Sequence, residues 1–478
     1  MTERTRDLTL LIVIAGLLLV GIAFDVATED AEPLVAESSA STFYERAQFC
    51  PARVLSEGAG AELAVATASN EAVPVGLEPL ESEPLELIAG DTVTRPVEVD
   101  EPVAAEGYGG PVASTTSHFV DTTITRTGEV EGAGAGNCAL NAATNWYFPA
   151  GDSSVSTDYR VVVANPFPDE AVVRIDFLTP EGSEPSAKLS QVAVPSGEVE
   201  VVSISGSALP QDQLSVALES VRGRVIAWKA LWTKPDEGPE GFEFTLGATS
   251  PRTDWYFPVG EVSEGATQAI TLMNPNPEES QVSVTLTTSE EPVQSSKLIE
   301  IAVPGETSKE LVIPDRLDNK DANLGGVSAV VSVDNEVPVV AESTTTFDTD
   351  ELSGRVTELG SPRLSDRWLA GPPASRPDSD SLIIHNPSTE DATVDVTIYD
   401  GEGDSTGSAP DKLQNLVVPG GLRTSVSLDE YTQGAPLFVA VTSEGGRIVV
   451  ERLASERGRS DLSSVMGQPE FGRAPIER

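Results

Sequence analysis

Cysteine and histidine are almost absent from this chain. It has two of each in 478 residues, Cys50 and Cys138, His118 and His385, and no two of them lie close together. That scarcity argues against the usual zinc-ligand spacings and against most His- or Cys-based nucleophilic chemistry. Basic residues are also scarce. Thirty Lys and Arg stand against 76 Asp and Glu, a net charge of −46. A surface so negative repels nucleic acid phosphates and anionic headgroups, so no nucleic-acid partner is expected and the charge reads as a solvated exterior. The sequence has no G-x-S-x-G elbow, S-x-x-K, Walker loop or H-E-x-x-H. Two carboxylates would suffice for glycosidic chemistry, but 76 acidic residues make any chosen pair arbitrary. Asn319, Asp321 and Asn323 alternate like the start of a calcium loop. Leu324 stands at the sixth position, where Gly belongs, and Val330 at the twelfth, where Glu belongs. Asp348, Asp350 and Glu351 make a weaker case. No catalytic residue, metal ligand or cofactor is expected, and the chain reads as a non-enzyme.

Long apolar runs are missing everywhere but the beginning. Residues 8–24 carry no charge and are rich in Leu, Ile and Val. At 1.5 Å per residue they span about 25 Å, the short end of what crosses a bilayer. Arg4 and Arg6 precede the run, and Asp25, Glu29 and Asp30 follow it. The positive-inside rule then leaves a cytoplasmic tip (1–7) and exports the rest as a single-pass ectodomain. The alternative is secretion after cleavage, but the run is long for a signal peptide and Phe24-Asp25 is a poor cleavage site.

What the chain does have is a repeat. Trp146-Tyr147-Phe148-Pro149 recurs as Trp255-Tyr256-Phe257-Pro258 and, more faintly, as Trp368-Leu369-Ala370-Gly371. About 19 residues after each Trp comes an Asn-Pro pair, beginning at Asn165, Asn274 and Asn386, with spacings of 274 − 165 = 109 and 386 − 274 = 112. Eight, ten and twelve residues past each Asn stand apolar residues: Val173, Ile175, Phe177; Val282, Val284, Leu286; Val394, Val396, Ile398. Polar residues sit between them, the period of a half-buried strand. Lys188, Lys297 and Lys412 each precede a Pro by seven. A degenerate copy lies nearer the start, with Phe49-Cys50-Pro51 in place of Tyr-Phe-Pro and neither the Trp nor the Asn-Pro.

The parsing is therefore a stalk (25–47), a degenerate β-module (48–127), β-modules over 140–235, 250–350 and 364–455, and a flexible tail (456–478). Six or seven short strands per copy, with no sustained helical period after Phe24, predict an all-β chain of tandem antiparallel sandwiches, immunoglobulin-like in architecture. A β-propeller is the alternative, disfavoured by a repeat of about 110 residues. The Gly132-Ala133-Gly134-Ala135-Gly136 run reads as a linker.

These modules resemble a family of exported, membrane-anchored actinobacterial proteins known only by a domain of unknown function, over roughly residues 50–452. The resemblance implies an envelope location and transfers no site residues. The expected function is a scaffold, adhesion or protein-binding array whose partners are the membrane, through its anchor, and a cell-wall or exported protein. The alternative is a glycan-binding or glycan-modifying protein, with Trp228 and Trp232 as the candidate stacking residues. Exposed indoles would favour the glycan reading and buried ones the scaffold. Because the compartment oxidises and there are only two cysteines, a disulfide between Cys50 and Cys138 is expected, replacing the anchoring Trp that the first copy lacks.

Overall fold

The computed structural model describes residues 47–469, apart from 52–58, 68–71, 89, 99–100, 108–111, 126–127, 237, 320–321, 350–351, 401–406 and 458–461. The apolar run at 8–24 and nearly all of the stalk lie outside the described residues. So do Asp321, Asp350 and Glu351. Among the described residues, no helix is long and apolar enough to cross a membrane.

The described residues are nearly all β, and among them there is no closed barrel or propeller. Eight antiparallel sheets of four or five strands, with one two-stranded ribbon, fall into four pairs of the same order. Strands are numbered β1–β8 within each repeat. In repeat 2 they are β1 Asn145–Phe148, β2 Thr157–Ala164, β3 Ala171–Thr179, β4 Val192–Val194, β5 Val199–Ser203, β6 Ser215–Arg222, β7 Ile226–Thr233 and β8 Gly241–Leu246. One sheet joins β1, β6 and β3 with β4 beside β3; the other runs β5-β2-β7-β8. Repeat 1 (β1 Ala47–Cys50 to β8 Gly128–Asn137), repeat 3 (β1 Asp254–Phe257 to β8 Ser353–Leu359) and repeat 4 (β1 Arg367–Ala370 to β8 Leu462–Met466) have the same connections. The inward residues of β3, Val173, Ile175 and Phe177, are buried while Arg174 between them is exposed, as the alternation requires. They meet Val161, Val163 and Ala227 from the facing sheet in one core.

The seven strands expected in repeat 2 are present, a short strand Gly182–Pro185 extends β3 as a hairpin, and β8 lies where a linker was expected. Gly132–Gly136 belongs to β8 of repeat 1, paired to β7 from Thr115↔Asn137 onward. Its lack of side chains has a cause. A Cβ on Gly134 would come 3.1 Å from the Phe242 carbonyl oxygen and Phe244 nitrogen of the next repeat's β8, so glycine suits that approach and any side chain would force the neighbouring strand to give. The tail is corrected likewise. Leu462–Met466 is the fully buried β8 of repeat 4, and Gln468–Pro469 pairs with β1 of the same repeat.

The four β8 strands pack successively, repeat 1 on 2, 2 on 3, 3 on 4, and 4 on 1. The sandwiches therefore form a circuit. Gln48 at its start donates from Nε2 to Gln468 Oε1 at its end (2.7 Å). Thr92 Oγ1 of repeat 1 donates to the Tyr399 carbonyl (2.8 Å) and accepts from Phe438 N (2.9 Å) of repeat 4.

Candidate functional site

The indoles come first, because the sequence nominated two of them. Trp228 and Trp232 are fully buried. Trp228 Nε1 donates to the Asn137 carbonyl of the neighbouring repeat (3.4 Å), while Trp232 lies against Phe242 with Arg160 over its other side. Neither offers a face to a sugar, and the stacking role is withdrawn. Both stand on β7, whose two faces are covered by the repeat's own second sheet and by repeat 1. That double burial is what an uninterrupted apolar strand such as Ile226–Thr233 signals.

The repeat-marking Trp residues share one bond. Trp146, Trp255 and Trp368 donate from Nε1 to the carbonyls of Val225 (2.9 Å), Val339 (2.8 Å) and Ile448 (3.1 Å) at the entry to β7. In repeat 1 the residue in the Trp position is Gln48, whose Nε2 donates to the equivalent carbonyl, Val112 (2.9 Å). The disulfide is present, Cys50–Cys138 with Cα atoms 4.4 Å apart. It does not stand in for the Trp. Cys50 occupies the place of Phe148 and Phe257, and Cys138 that of Gly247 and Gly360. In repeats 2 and 3 the Phe ring lies flat on that glycine, within 2.7 and 2.6 Å of where a Cβ would be. Repeat 1 replaces an aromatic contact with a covalent bond.

Buried ions tie the repeats to one another. Lys229 Nζ, fully buried, donates to Glu342 Oε1 (2.7 Å) and to the Ala150 carbonyl (2.8 Å), and Glu342 Oε2 accepts from Ala150 N (2.7 Å). One position along in the circuit, Glu451 accepts from Val259 N (3.1 Å). Glu342 and Glu451 occupy the same place on β7 of their repeats, reaching the residue four beyond the preceding repeat's Trp. Burial pushes the Glu451 carboxyl up to about 8, the hydrogen bond from Val259 N and the charge of Arg423 only partly opposing it. Burial also raises Glu342 against the pull of Lys229. Glu358 is pushed well above the usual range by burial and by the charges of Glu451 and Glu342. For Glu243 burial is outweighed by Arg355 (2.9 Å) and Lys229, and its carboxyl is lowered. Both histidines are buried, and burial lowers each to about 3. His385 Nε2 lies 3.2 Å from Thr287 Oγ1, and His118 stacks on Phe244.

Two openings lie between repeats. One of about 220 Å³ separates repeats 2 and 3 and is lined by Asp152, Asp212, Glu243, Glu310 and Arg355. The other, about 780 Å³, lies between repeats 3 and 4. Its apolar wall is Phe347, Ile383 and Leu453; its polar groups are Glu261, Arg423 and the hydroxyls of Ser263, Ser381 and Ser425. Arg423, at the start of β5 in repeat 4, is 8% exposed. Its side chain makes no hydrogen bond or ion pair among the described residues, and its Nε is buried without a partner. The cleft joins residues from two repeats, which spacing within either one could not reveal. The signal available in sequence was an Arg where the equivalent residues of repeats 2 and 3 are Val199 and Thr307.

Three solved structures bear distant likeness. The Thermotoga maritima 1070 structure is 19% identical, with 24% of this chain and 97% of that one covered at a TM-score of 0.21. The Anabaena sensory rhodopsin transducer is 21% identical, covering 20% and 96% at 0.17. The α-L-rhamnosidase of Streptomyces avermitilis is 9% identical, covering 84% and 54% at 0.14. At such scores none of them carries an argument about this chain. No curated protein matches the sequence. Residues 98–351 and 318–456 match a single family, and together they take in repeats 2 and 3, most of repeat 4 and the end of repeat 1, so the chain belongs to the Family of unknown function (DUF5719).

Proposed function

We propose that this chain is a non-enzymatic ectodomain of an actinobacterial-type cell envelope, held to the membrane by residues 8–24. Its four-repeat β body scaffolds, adheres to, or docks a cell-wall component or another exported protein. The observation that supports this reading is the fate of the aromatic residues. All five Trp are between 0 and 2% exposed, so the indoles build the body instead of offering platforms to a glycan. The net charge of −46 keeps such a body soluble and away from nucleic acid.

The test is photo-crosslinking in intact cells from the exposed positions Val155 and Leu209 (82% and 72% exposed). Recovery of one exported protein or wall polymer attachment supports the reading. Recovery of a specific soluble polysaccharide fragment replaces it with the glycan-binding alternative. The topology has its own test. External protease on intact cells should digest the chain from about residue 47 onward, and protection until lysis would refute the anchor.

A further inference from the structure

A guanidinium nine-tenths buried without an ion pair or hydrogen bond is costly, because a charge taken from water needs a partner. Arg423 is in that state at the wall of the 780 Å³ cleft. The surroundings are shaped around it. Gly326 leaves a space that the guanidinium fills, since a Cβ there would sit 1.8 Å from Nη1. Arg423 N donates to the Thr288 carbonyl of repeat 3 (3.2 Å), fixing the base of the side chain across the junction. The hydroxyls of Ser263, Ser381 and Ser425 line the same space and make no hydrogen bond among the described residues. The carboxyl groups that act on the guanidinium are Glu261, which also lines the cleft, and Glu451, which burial keeps neutral to about pH 8, and neither forms an ion pair with it.

We propose that this cleft binds a small ligand through a carboxylate received by Arg423, with the serine hydroxyls meeting polar groups on the ligand's body and Phe347 and Ile383 its apolar side. The planar fork of arginine matches a carboxylate in two parallel hydrogen bonds. A carboxylate brings one negative charge, whereas a phosphate brings more into a site that already faces Glu261 in a strongly acidic molecule. The cleft's volume suits a ligand of one or two rings or residues. The site would give the scaffold a binding function of its own, independent of how the body is anchored.

The experiment uses the full-length chain in detergent. Binding of glucuronate, of acetyl-dialanine with its free C-terminal carboxylate, of inorganic phosphate and of glucose is measured by calorimetry, alongside the arginine Nε–H signals in NMR. One of the two carboxylate probes should bind and shift the Arg423 signal, and which one does identifies the ligand's source as an acidic sugar or a peptide end. Glucose should not bind, and phosphate should bind more weakly. Arg423→Met should weaken binding at least about tenfold, the cost of a charge-assisted bond. Gly326→Ala keeps every charge and crowds only the guanidinium. It should weaken binding similarly, and it serves as the variant if Arg423→Met fails to fold. Glu261→Gln should tighten binding. No binding of either carboxylate to the wild-type chain overturns the proposal. So does undiminished binding by the Arg423 and Gly326 variants, or tighter binding of phosphate.

Discussion

Asn165, Asn274 and Asn386 each do two jobs with one side chain. The carboxamide oxygen of Asn165 accepts from Phe167 N two residues on, the local turn its Asn-Pro pair implied. The Nδ2 donates to the carbonyls of Asp169 (2.8 Å), Val194 (3.0 Å) and Pro195 (3.1 Å), binding the β2–β3 turn to the end of β4. Asn274 repeats this at Glu278, Val303 and Pro304. That explains why an Asn-Pro pair and a distant Pro keep step through the sequence. Asn165→Ala leaves buried carbonyls without donors and should cost about 2–4 kcal/mol in chemical denaturation, with no loss from the exposed Arg174→Ala on the same repeat. Titration makes a second residue-scale prediction. Glu451 stays neutral in the folded chain up to about pH 8, whereas the unfolded chain ionises it from 4.5. The stability it lends is whole below pH 4.5 and is lost as pH rises toward 8. His118 and His385 act oppositely. They are held neutral to about 3, so what they lend is present above 6.5 and lost as pH falls toward 3. Melting temperature should therefore peak between about pH 4.5 and 6.5. Glu451→Gln, which can still accept from Val259 N, should gain on the order of 2–4 kcal/mol at pH 8 and little at pH 4.5.

Strands were legible in this sequence where alternation or an apolar run marks them, and illegible at β8, where close approach of the next repeat removes the side chains that would do so. Val173, Ile175 and Phe177 announce β3 by alternation. β8 in repeat 1 announces nothing, because close approach to Phe242 and Phe244 selects Gly and Ala, the residues a linker would also show. The buried ion links were invisible for the same reason, since Lys229 and Glu342 lie 113 residues apart and meet only between sandwiches. The Gln48 substitute for Trp was within reach of sequence, because it directly precedes Phe49-Cys50-Pro51, but it shares only a donor group with an indole and not a shape. The β7-to-β1 link makes a prediction of its own. Lys229→Met strands a buried Glu342 and should cost about 3–5 kcal/mol, whereas Lys229→Met combined with Glu342→Met should recover most of it. Additive losses in the double variant would show that the two side chains do not act as a pair.

For the whole molecule, the disulfide joins β1 to the end of β8 in repeat 1, closing a separation of 88 residues. Loop-closure entropy values such a bridge at roughly 4–5 kcal/mol, comparable to the stability of a small domain. Repeat 1 is also the neighbour of repeats 2 and 4, so its loss should spread. Cys50→Ser should raise amide exchange not only through residues 47–137 but also at Phe438, whose N–H donates to Thr92 Oγ1. Hydrogen exchange confined to repeat 1, or unchanged, would mean that the circuit does not transmit the loss.

Solenoids can lengthen by one unit because their last repeat faces water, and they need caps to do so. Here the last repeat faces the first, and Gln48 and Gln468 touch. The number of units is therefore set by the angle each turns through and is not free to vary. The seam between first and last becomes one junction among four, so the backbone could be cut at another junction and rejoined across this one with the same body as the result.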